Sequence, residues 1–159
     1  MEPKIVERPE ILLVGMPYYG EPSGGEFGKT WHRFFQHAQE IPHQVNPKQS
    51  YGLEFYTAEF MEEHRWFYMP AAEVPSLEVI PIGLVAKRLP AGQYAVLTVP
   101  AFAQKIGEGF GLIYHTWLPS SGYVNSYPYD FELYEDGKFK GMEVEGSEID
   151  VYVPVKKKE

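Results

Sequence analysis

Hydrophobic residues recur at helical spacing in two stretches of the chain, and shorter apolar or alternating runs surround each stretch. In the first stretch, the residues on one side of the predicted helix are Phe27, Trp31, Phe34, Phe35, Ala38 and Ile41. Ser23 and Glu26 match a capping box at its start, and Pro42 predicts its end. Upstream, residues 4–18 form a predicted strand that bends at Pro9.

The second helical stretch repeats this arrangement further along the chain. Its apolar side consists of Ile106, Phe110, Ile113 and Trp117. A β-rich run at residues 93–99 precedes it, and Pro119 predicts its end. Two strands are predicted after each helix, at residues 51–56, 65–74, 127–135 and 147–155. Asp136-Gly137 marks a tight turn between the last two.

Each half therefore reads strand, helix, strand, strand, which predicts an α+β fold built from a duplicated β-α-β-β module. Two helices are expected on one face of an antiparallel sheet, with a ligand cleft between the halves. We predict a single domain over residues 1–159, with half-repeats at about residues 1–75 and 76–159.

The composition of the chain limits the kinds of molecule that the protein is expected to bind. The net charge of −8 disfavours nucleic acid, because phosphate binding needs a basic surface. The chain has no cysteine, which excludes disulfides and thiolate chemistry. It begins without an apolar signal core, and the apolar run at residues 11–14 is too short to span a bilayer. We expect a cytoplasmic protein that contacts neither nucleic acid directly nor a membrane.

An acidic residue stands among aromatic and apolar residues at equivalent points of the two halves. Residues 52–56 read Gly-Leu-Glu-Phe-Tyr, and residues 130–134 read Asp-Phe-Glu-Leu-Tyr. Successive strand side chains point to opposite faces, so each Glu shares a face with the Tyr two positions later. We expect the apolar residues between them under the helices and the Glu–Tyr pairs on the other face. The predicted ligand-binding residues on that face are Glu54, Tyr56, Trp66, Tyr68, Glu132, Tyr134 and Tyr152.

Carboxylates surrounded by aromatic rings suit an amphipathic organic cation. Ring faces attract a cation by about 0.5 kcal/mol at exposed sites and about 2 kcal/mol when desolvated. The alternative is that each Glu lies on a solvated strand face. Trp31 and Trp117 are expected in the core. For Trp66 the sequence supports a position in a pocket and a position in core packing equally.

Other kinds of site have little support in the sequence. The five histidines contain no His-x-x-x-His pair, and no Gly-x-Ser-x-Gly nucleophile motif is present. The acidic stretch around Glu145 lacks calcium-loop spacing and is expected to be a solvated loop. We therefore predict no metal, no cofactor and no catalytic residue.

Four segments together resemble the gyrase-inhibitor-like, AraC-type bacterial effector-binding domain. They are residues 89–96 (Leu-Pro-Ala-Gly-Gln-Tyr-Ala-Val), Trp117-Leu118-Pro119 with Gly122-Tyr123, residues 131–134 (Phe-Glu-Leu-Tyr) and residues 149–155 (Ile-Asp-Val-Tyr-Val-Pro-Val). The resemblance covers the whole chain, and it implies the duplicated fold with a pocket between the halves. It also implies binding of diverse, often cationic drugs through a central Glu, whose position Glu132 occupies.

The resemblance leaves several functions open. In many relatives this domain follows a helix-turn-helix DNA-binding domain, whereas here we expect a stand-alone small-molecule-binding protein. Some stand-alone relatives inhibit DNA gyrase, which keeps open a protein-interaction module and either a homodimer or a protein partner. Others hydrolyse reactive cyclopropane-containing compounds, so a hydrolase with Glu132 or Glu54 as base is a further alternative.

Overall fold

The computed structural model describes residues 1–159, which form two compact units. The N-terminal unit is residues Glu10–Pro90. The C-terminal unit combines residues Ala91–Glu159 with Met1–Pro9, a segment that contains the first strand, β1 (Lys4–Arg8). Each unit is an antiparallel sheet with helices, so the α+β class predicted from the sequence is confirmed.

The N-terminal unit has five strands. They are β2 (Ile11–Gly15), β3 (Tyr18–Gly20), β4 (Gln49–Phe55), β5 (Trp66–Glu73) and β6 (Val85–Leu89). Their order is β4-β5-β2-β6, and β3 pairs with the start of β5. The helices are α1 (Glu26–His37), continued by a 3₁₀ turn at Ala38–Glu40, and the short α2 (Glu59–Glu63).

Helix α1 covers one face of this sheet. Buried residues from the helix, the turn after it and the sheet form one apolar cluster: Val14, Phe34, Ile41, Ala72, Val74 and Leu84. The Glu26 side chain accepts hydrogen bonds from the backbone N–H groups of Ser23 and Gly24, each at 2.8 Å. The predicted capping box is therefore wrong: Gly25 holds the N-cap position, no side chain caps the helix, and Glu26 binds the loop that precedes it.

The C-terminal unit is built in the same way from β1 and four later strands. They are β7 (Gly92–Pro100), β8 (Tyr123–Asn125), β9 (Tyr129–Glu135) and β10 (Glu148–Lys157). Their order is β1-β7-β10-β9, and β8 pairs with the end of β10. Three helical segments follow β7: α3 (Ala103–Gly111), a π-helical segment (Leu112–Trp117) and α4 (Leu118–Ser121).

These helical segments cover the face of the sheet that carries alternate residues of β7 and β10. The buried apolar cluster there consists of Ala95, Leu97, Val99, Ala101, Ile106, Ile113, Ile149, Val151, Val153 and Val155. The packing is close at Gly109, where a Cβ atom would lie 2.9 Å from Val99 Cγ1. Pro119 was predicted to end the helix, but it lies at the start of α4, directly after the π-helical segment, and the helical backbone continues to Ser121. The helix ends instead at Gly122, whose φ is 80°.

The compact units do not follow the predicted half-repeats at residues 1–75 and 76–159. Strand β6 pairs with β2 and therefore completes the sheet of the N-terminal unit. Strand β1 pairs with β7 and completes the sheet of the C-terminal unit. Pro9 separates β1 from β2, as the predicted bend required, because a proline cannot donate to a strand ladder.

Candidate functional site

In the C-terminal unit, the register of β9 decides which way Glu132 points. Glu132 lies opposite Val151 of β10, and directly opposed residues of an antiparallel pair share a face. Val151 belongs to the apolar cluster under the helices. Glu132 is therefore on the helix-covered face, together with Asp130 and Tyr134, two positions away on either side.

This position reverses the strand face that the sequence predicted for Glu132. Phe131 and Leu133 were expected under the helices and Glu132 with Tyr134 on the other face, whereas the structure has the reverse. The physical reason is that residues 129–133 are all buried, so hydrophobicity does not distinguish the two faces of β9. Alternation identifies the core face only where the opposite face is solvated.

Glu132 is a buried acid held by an aromatic hydroxyl. The residue is 7% exposed, and the Tyr134 hydroxyl donates a hydrogen bond of 2.6 Å to Glu132 Oε1. The Tyr134 ring packs edge-on against Phe139, with centroids 4.9 Å apart. A neutral donor lowers the cost of burying a carboxylate without cancelling its charge. Glu132 and Tyr134 therefore lie together, with the acid beside an aromatic ring.

Tyr152 does not belong to this group, which corrects a second sequence prediction. It lies opposite Phe131 in the β9–β10 ladder, on the face away from the helices, and its ring stacks on Phe131 at 4.5 Å. The Arg8 guanidinium lies 5.6 Å from the centroid of the Tyr152 ring. Burial raises the pKa of Tyr152 above its ordinary value, although the nearby Arg8 charge opposes the shift. Tyr152 contributes to packing on that face and lies apart from Glu132.

The N-terminal unit places a second acid among aromatic rings. Glu54 of β4 lies opposite Tyr68 of β5, and Trp66 shares their face because it is two residues before Tyr68. Trp66 Nε1–H donates a hydrogen bond of 2.7 Å to Glu54 Oε2. The structure thus brings together three of the residues predicted from the sequence.

Helix α1 covers this group too, so the predicted face is again reversed. Phe27 of α1 stacks on Tyr68 with centroids 3.8 Å apart, and Trp31 Nε1–H donates to the Tyr68 hydroxyl at 2.7 Å. Leu53 and Phe55, which were expected under the helix, point to the other face. There, the Phe55 ring stacks on Phe67 at 4.5 Å.

Tyr56 joins the Glu54 group indirectly, through α2. It follows the last residue of β4, and its ring centroid is 4.7 Å from that of Phe60. Phe60 in turn contacts Trp66 edge-on at 5.7 Å. The group around Glu54 is thus walled by Tyr56, Phe60, Trp66, Tyr68 and Phe27, and we call it the Glu54 cluster.

Sequence reasoning missed four residues in these groups. Phe27 and Phe60 complete the Glu54 cluster, and Phe27 had been assigned to core packing only. Asp130 shares the helix-covered face with Glu132, and the Tyr114 hydroxyl donates to Asp130 Oδ2 at 2.8 Å. Asp130 carried a usable signal, since it is two residues before Glu132 on the same strand and therefore shares its face.

The family follows from comparison with known proteins. The model of the Cass2 family, described as integron-associated effector binding protein, matches residues 4–155, and the chain belongs to this family. It is an effector-binding domain of the gyrase-inhibitor-like superfamily, which confirms the resemblance seen in the sequence.

A curated relative supports the same assignment. The transcriptional regulator BrlR of Pseudomonas aeruginosa is 34% identical over 155 residues. The match covers 98% of this chain and 56% of BrlR, so the chain spans little more than half the length of that relative.

Solved structures with the same fold have much lower sequence identity. SAV2435 bound to tetraphenylphosphonium matches with a TM-score of 0.73 and 18% identity, covering 98% of this chain and 94% of SAV2435. The C-terminal domain of EcmrR matches with a TM-score of 0.76 and 13% identity, covering 98% and 97% of the two chains. At these identities the likeness shows the fold. No helix in the structure has both the length and the apolar character needed to cross a bilayer.

Proposed function

We propose that this protein binds lipophilic, cationic aromatic compounds, and that Glu132 and Glu54 supply the negative charge. The observation that carries the proposal is Glu132, a 7% exposed acid on the helix-covered face that accepts a hydrogen bond from the Tyr134 hydroxyl. Family membership supports an effector as the bound species. SAV2435, which shares the fold, has been solved with tetraphenylphosphonium bound.

The energetics favour a ligand that is both apolar and positive. A buried carboxylate loses hydration, and a hydroxyl donor offsets only part of that loss. An organic cation offsets more of it, because its charge interacts with the carboxylate where the local dielectric is low. Its hydrophobic surface adds about 25 cal/mol for each Å² removed from water.

The Glu54 cluster offers the same chemistry with more ring surface. Glu54, Tyr56 and Trp66 are half-buried, so a ligand reaches them with less rearrangement than it needs at Glu132. Trp is the ring that attracts cations most strongly, by about 0.5 to 2 kcal/mol according to desolvation. We propose that the Tyr68, Trp66 and Tyr56 rings contact the aromatic part of a ligand whose charge faces Glu54.

Calorimetric titration with tetraphenylphosphonium tests the proposal. Glu132→Gln removes the charge at nearly constant shape, and we expect affinity to fall by about tenfold or more, a loss of about 1.4 kcal/mol. Glu54→Gln is expected to weaken binding by about threefold to tenfold. The matched control is Glu148→Gln, an exposed acid of β10, which should bind as the wild type does.

The outcomes of this titration test the role of each residue separately from the proposed function as a whole. Equal affinity in wild type and Glu132→Gln would remove Glu132 from the site, and no binding by the wild type to any of several aromatic cations would refute the proposed function. The hydrolase and protein-interaction alternatives stay predictions, and mass spectrometry of the ligand after incubation would reveal turnover. A cytoplasmic location, and assembly as a homodimer or with a protein partner, also stay predictions from the sequence.

A further inference from the structure

Asp130 is the most deeply buried acid of the C-terminal unit, and the proposed function does not use it. The residue is 1% exposed, against 7% for Glu132. It shares the helix-covered face with Glu132, and alternate residues of a strand are about 6.6 Å apart along the strand axis. Two carboxylates therefore point from neighbouring positions of β9 towards the same helical layer.

A specialised backbone segment holds Asp130 in place. Tyr114 lies in the π-helical segment Leu112–Trp117, and its hydroxyl donates to Asp130 Oδ2 at 2.8 Å. A π-helical turn is rare, costs the helix its regular hydrogen bonding, and often occurs at functional positions. It also shifts the side chains that follow relative to those of a regular α-helix. The helix over β9 thus departs from α geometry at the residue that contacts this acid.

What Asp130 can add to the binding of a cation depends on whether that cation carries N–H groups. A carboxylate has about four lone-pair positions, so it can accept hydrogen bonds from several donors at once. Protonated nitrogen groups such as amidinium donate hydrogen bonds to a carboxylate and are attracted by its charge. A quaternary cation has no N–H group and gains only the charge interaction, which falls with distance.

We propose that Asp130 is a specificity-determining residue that selects aromatic ligands with a second protonated nitrogen group. One cationic group of such a ligand faces Glu132, and the second faces Asp130 one alternate strand position away. Tyr114 is a positioning residue that fixes the Asp130 carboxylate. This inference rests on the proposed function and names the ligand class of the same site.

A comparison of the affinities of three aromatic cations tests this inference. Benzene-1,4-dicarboxamidine has two amidinium groups on one ring, benzamidine has one, and tetraphenylphosphonium has a single charge with no N–H. For the wild type we expect the dicarboxamidine to bind about tenfold or more tightly than benzamidine. In Asp130→Asn, which keeps the shape and still accepts from Tyr114, this preference should fall to about twofold, while tetraphenylphosphonium affinity changes by less than about threefold.

Each result either supports or overturns the inference. An unchanged preference in Asp130→Asn, or an equal loss for all three probes, would overturn it, the second because Asp130 would then act on the structure alone. If Asp130→Asn fails to fold, the wild-type preference decides, since equal binding of the two amidines contradicts the proposal. Binding of tetraphenylphosphonium without any preference between the amidines refutes this inference and leaves the proposed function standing. Failure of the wild type to bind any aromatic cation refutes both.

Discussion

At the scale of single residues, carboxylates on the helix-covered faces accept hydrogen bonds from aromatic side chains. Tyr134 donates to Glu132, Tyr114 to Asp130 and Trp66 to Glu54. An aromatic donor brings both a polar hydrogen and a large apolar body, so it can partner the acid and still pack against a hydrophobic layer. Each acid therefore lies in surroundings that an aromatic ligand also favours.

Tyr134→Phe tests the coupling within one such pair. Removing the hydroxyl leaves the buried Glu132 carboxylate with one donor fewer, and we expect the free energy of unfolding to fall by about 1 to 3 kcal/mol. Urea denaturation of Tyr134→Phe, Glu132→Gln and the double variant gives the coupling energy between the two side chains. We expect the double variant to lose less than the sum of the two single losses, and strict additivity would show that the hydrogen bond contributes nothing.

Trp66→Phe tests the Glu54 cluster. The change keeps a ring but removes the indole N–H that binds Glu54 and the strongest cation-binding ring face. We expect tetraphenylphosphonium to bind about threefold to tenfold more weakly, which corresponds to about 0.7 to 1.4 kcal/mol. Trp117→Phe is the matched control, since Trp117 stacks on Tyr123 in the C-terminal unit and should leave binding unchanged. Equal effects of the two substitutions would indicate a general loss of packing.

At the scale of elements, α3 packs so closely on its sheet that two of its glycines have opposite expected effects. An alanine Cβ at Gly109 would lie 2.9 Å from Val99 Cγ1 and 3.4 Å from Val151 Cγ2, whereas one at Gly107 meets nothing within 4 Å. Alanine in a helix is worth about 1 kcal/mol relative to glycine. We therefore expect Gly107→Ala to stabilise the fold by about 0.5 to 1 kcal/mol.

Gly109→Ala is expected to destabilise the protein, because the overpacking cost of about 1 to 3 kcal/mol exceeds the helical gain. Thermal unfolding of the two variants side by side measures the difference. A stabilised Gly109→Ala variant would mean that α3 moves away from the sheet without penalty, against the close packing seen here.

The strands also show which features of the fold the sequence alone can predict. In β10, Ile149, Val151 and Val153 alternate with polar or aromatic residues, a pattern that predicts a core face, and all three belong to the apolar cluster under the helices. The same reasoning reversed β9, where both faces are buried and Phe131 is as inaccessible as its neighbours. Only the register, with Glu132 opposite Val151, decides the orientation, and single-strand patterns do not contain it.

The local sequence pattern also does not determine which strands pair with one another. The break at Pro9 was visible in the sequence, but the pairing of β1 with β7 depends on contacts between residues about ninety positions apart, such as Ile5 and Ala95. Helical periodicity identified the second helix, whereas its π-helical segment and the Tyr114–Asp130 contact had no sequence signal that we used. The sequence thus singled out Glu54, Glu132 and most of the rings beside them, missed Asp130, and assigned the two glutamates to the wrong faces.

At the scale of the whole chain, buried tyrosines make stability depend on alkaline pH. Burial raises the pKa values of Tyr94 and Tyr129 above the ordinary value, and their hydroxyls are hydrogen-bonded to each other at 2.6 Å. Above pH of about 10 the unfolded chain releases these protons while the native state keeps them. The free energy of unfolding therefore falls as pH rises, because the unfolded state then binds fewer protons than the native state.

Urea denaturation at a series of pH values above about 10 measures this dependence, and tyrosinate absorbance follows the ionisation directly. We expect some tyrosines to ionise only when the protein unfolds. Tyr129→Phe removes one retained proton, so stability should decline less steeply with pH by close to one proton. Tyr19→Phe, at a more exposed ring, is the control and should leave the slope unchanged. Smooth ionisation of all 12 tyrosines before unfolding would contradict the buried Tyr94–Tyr129 pair, because a hydroxyl that titrates freely cannot have the raised pKa that burial imposes.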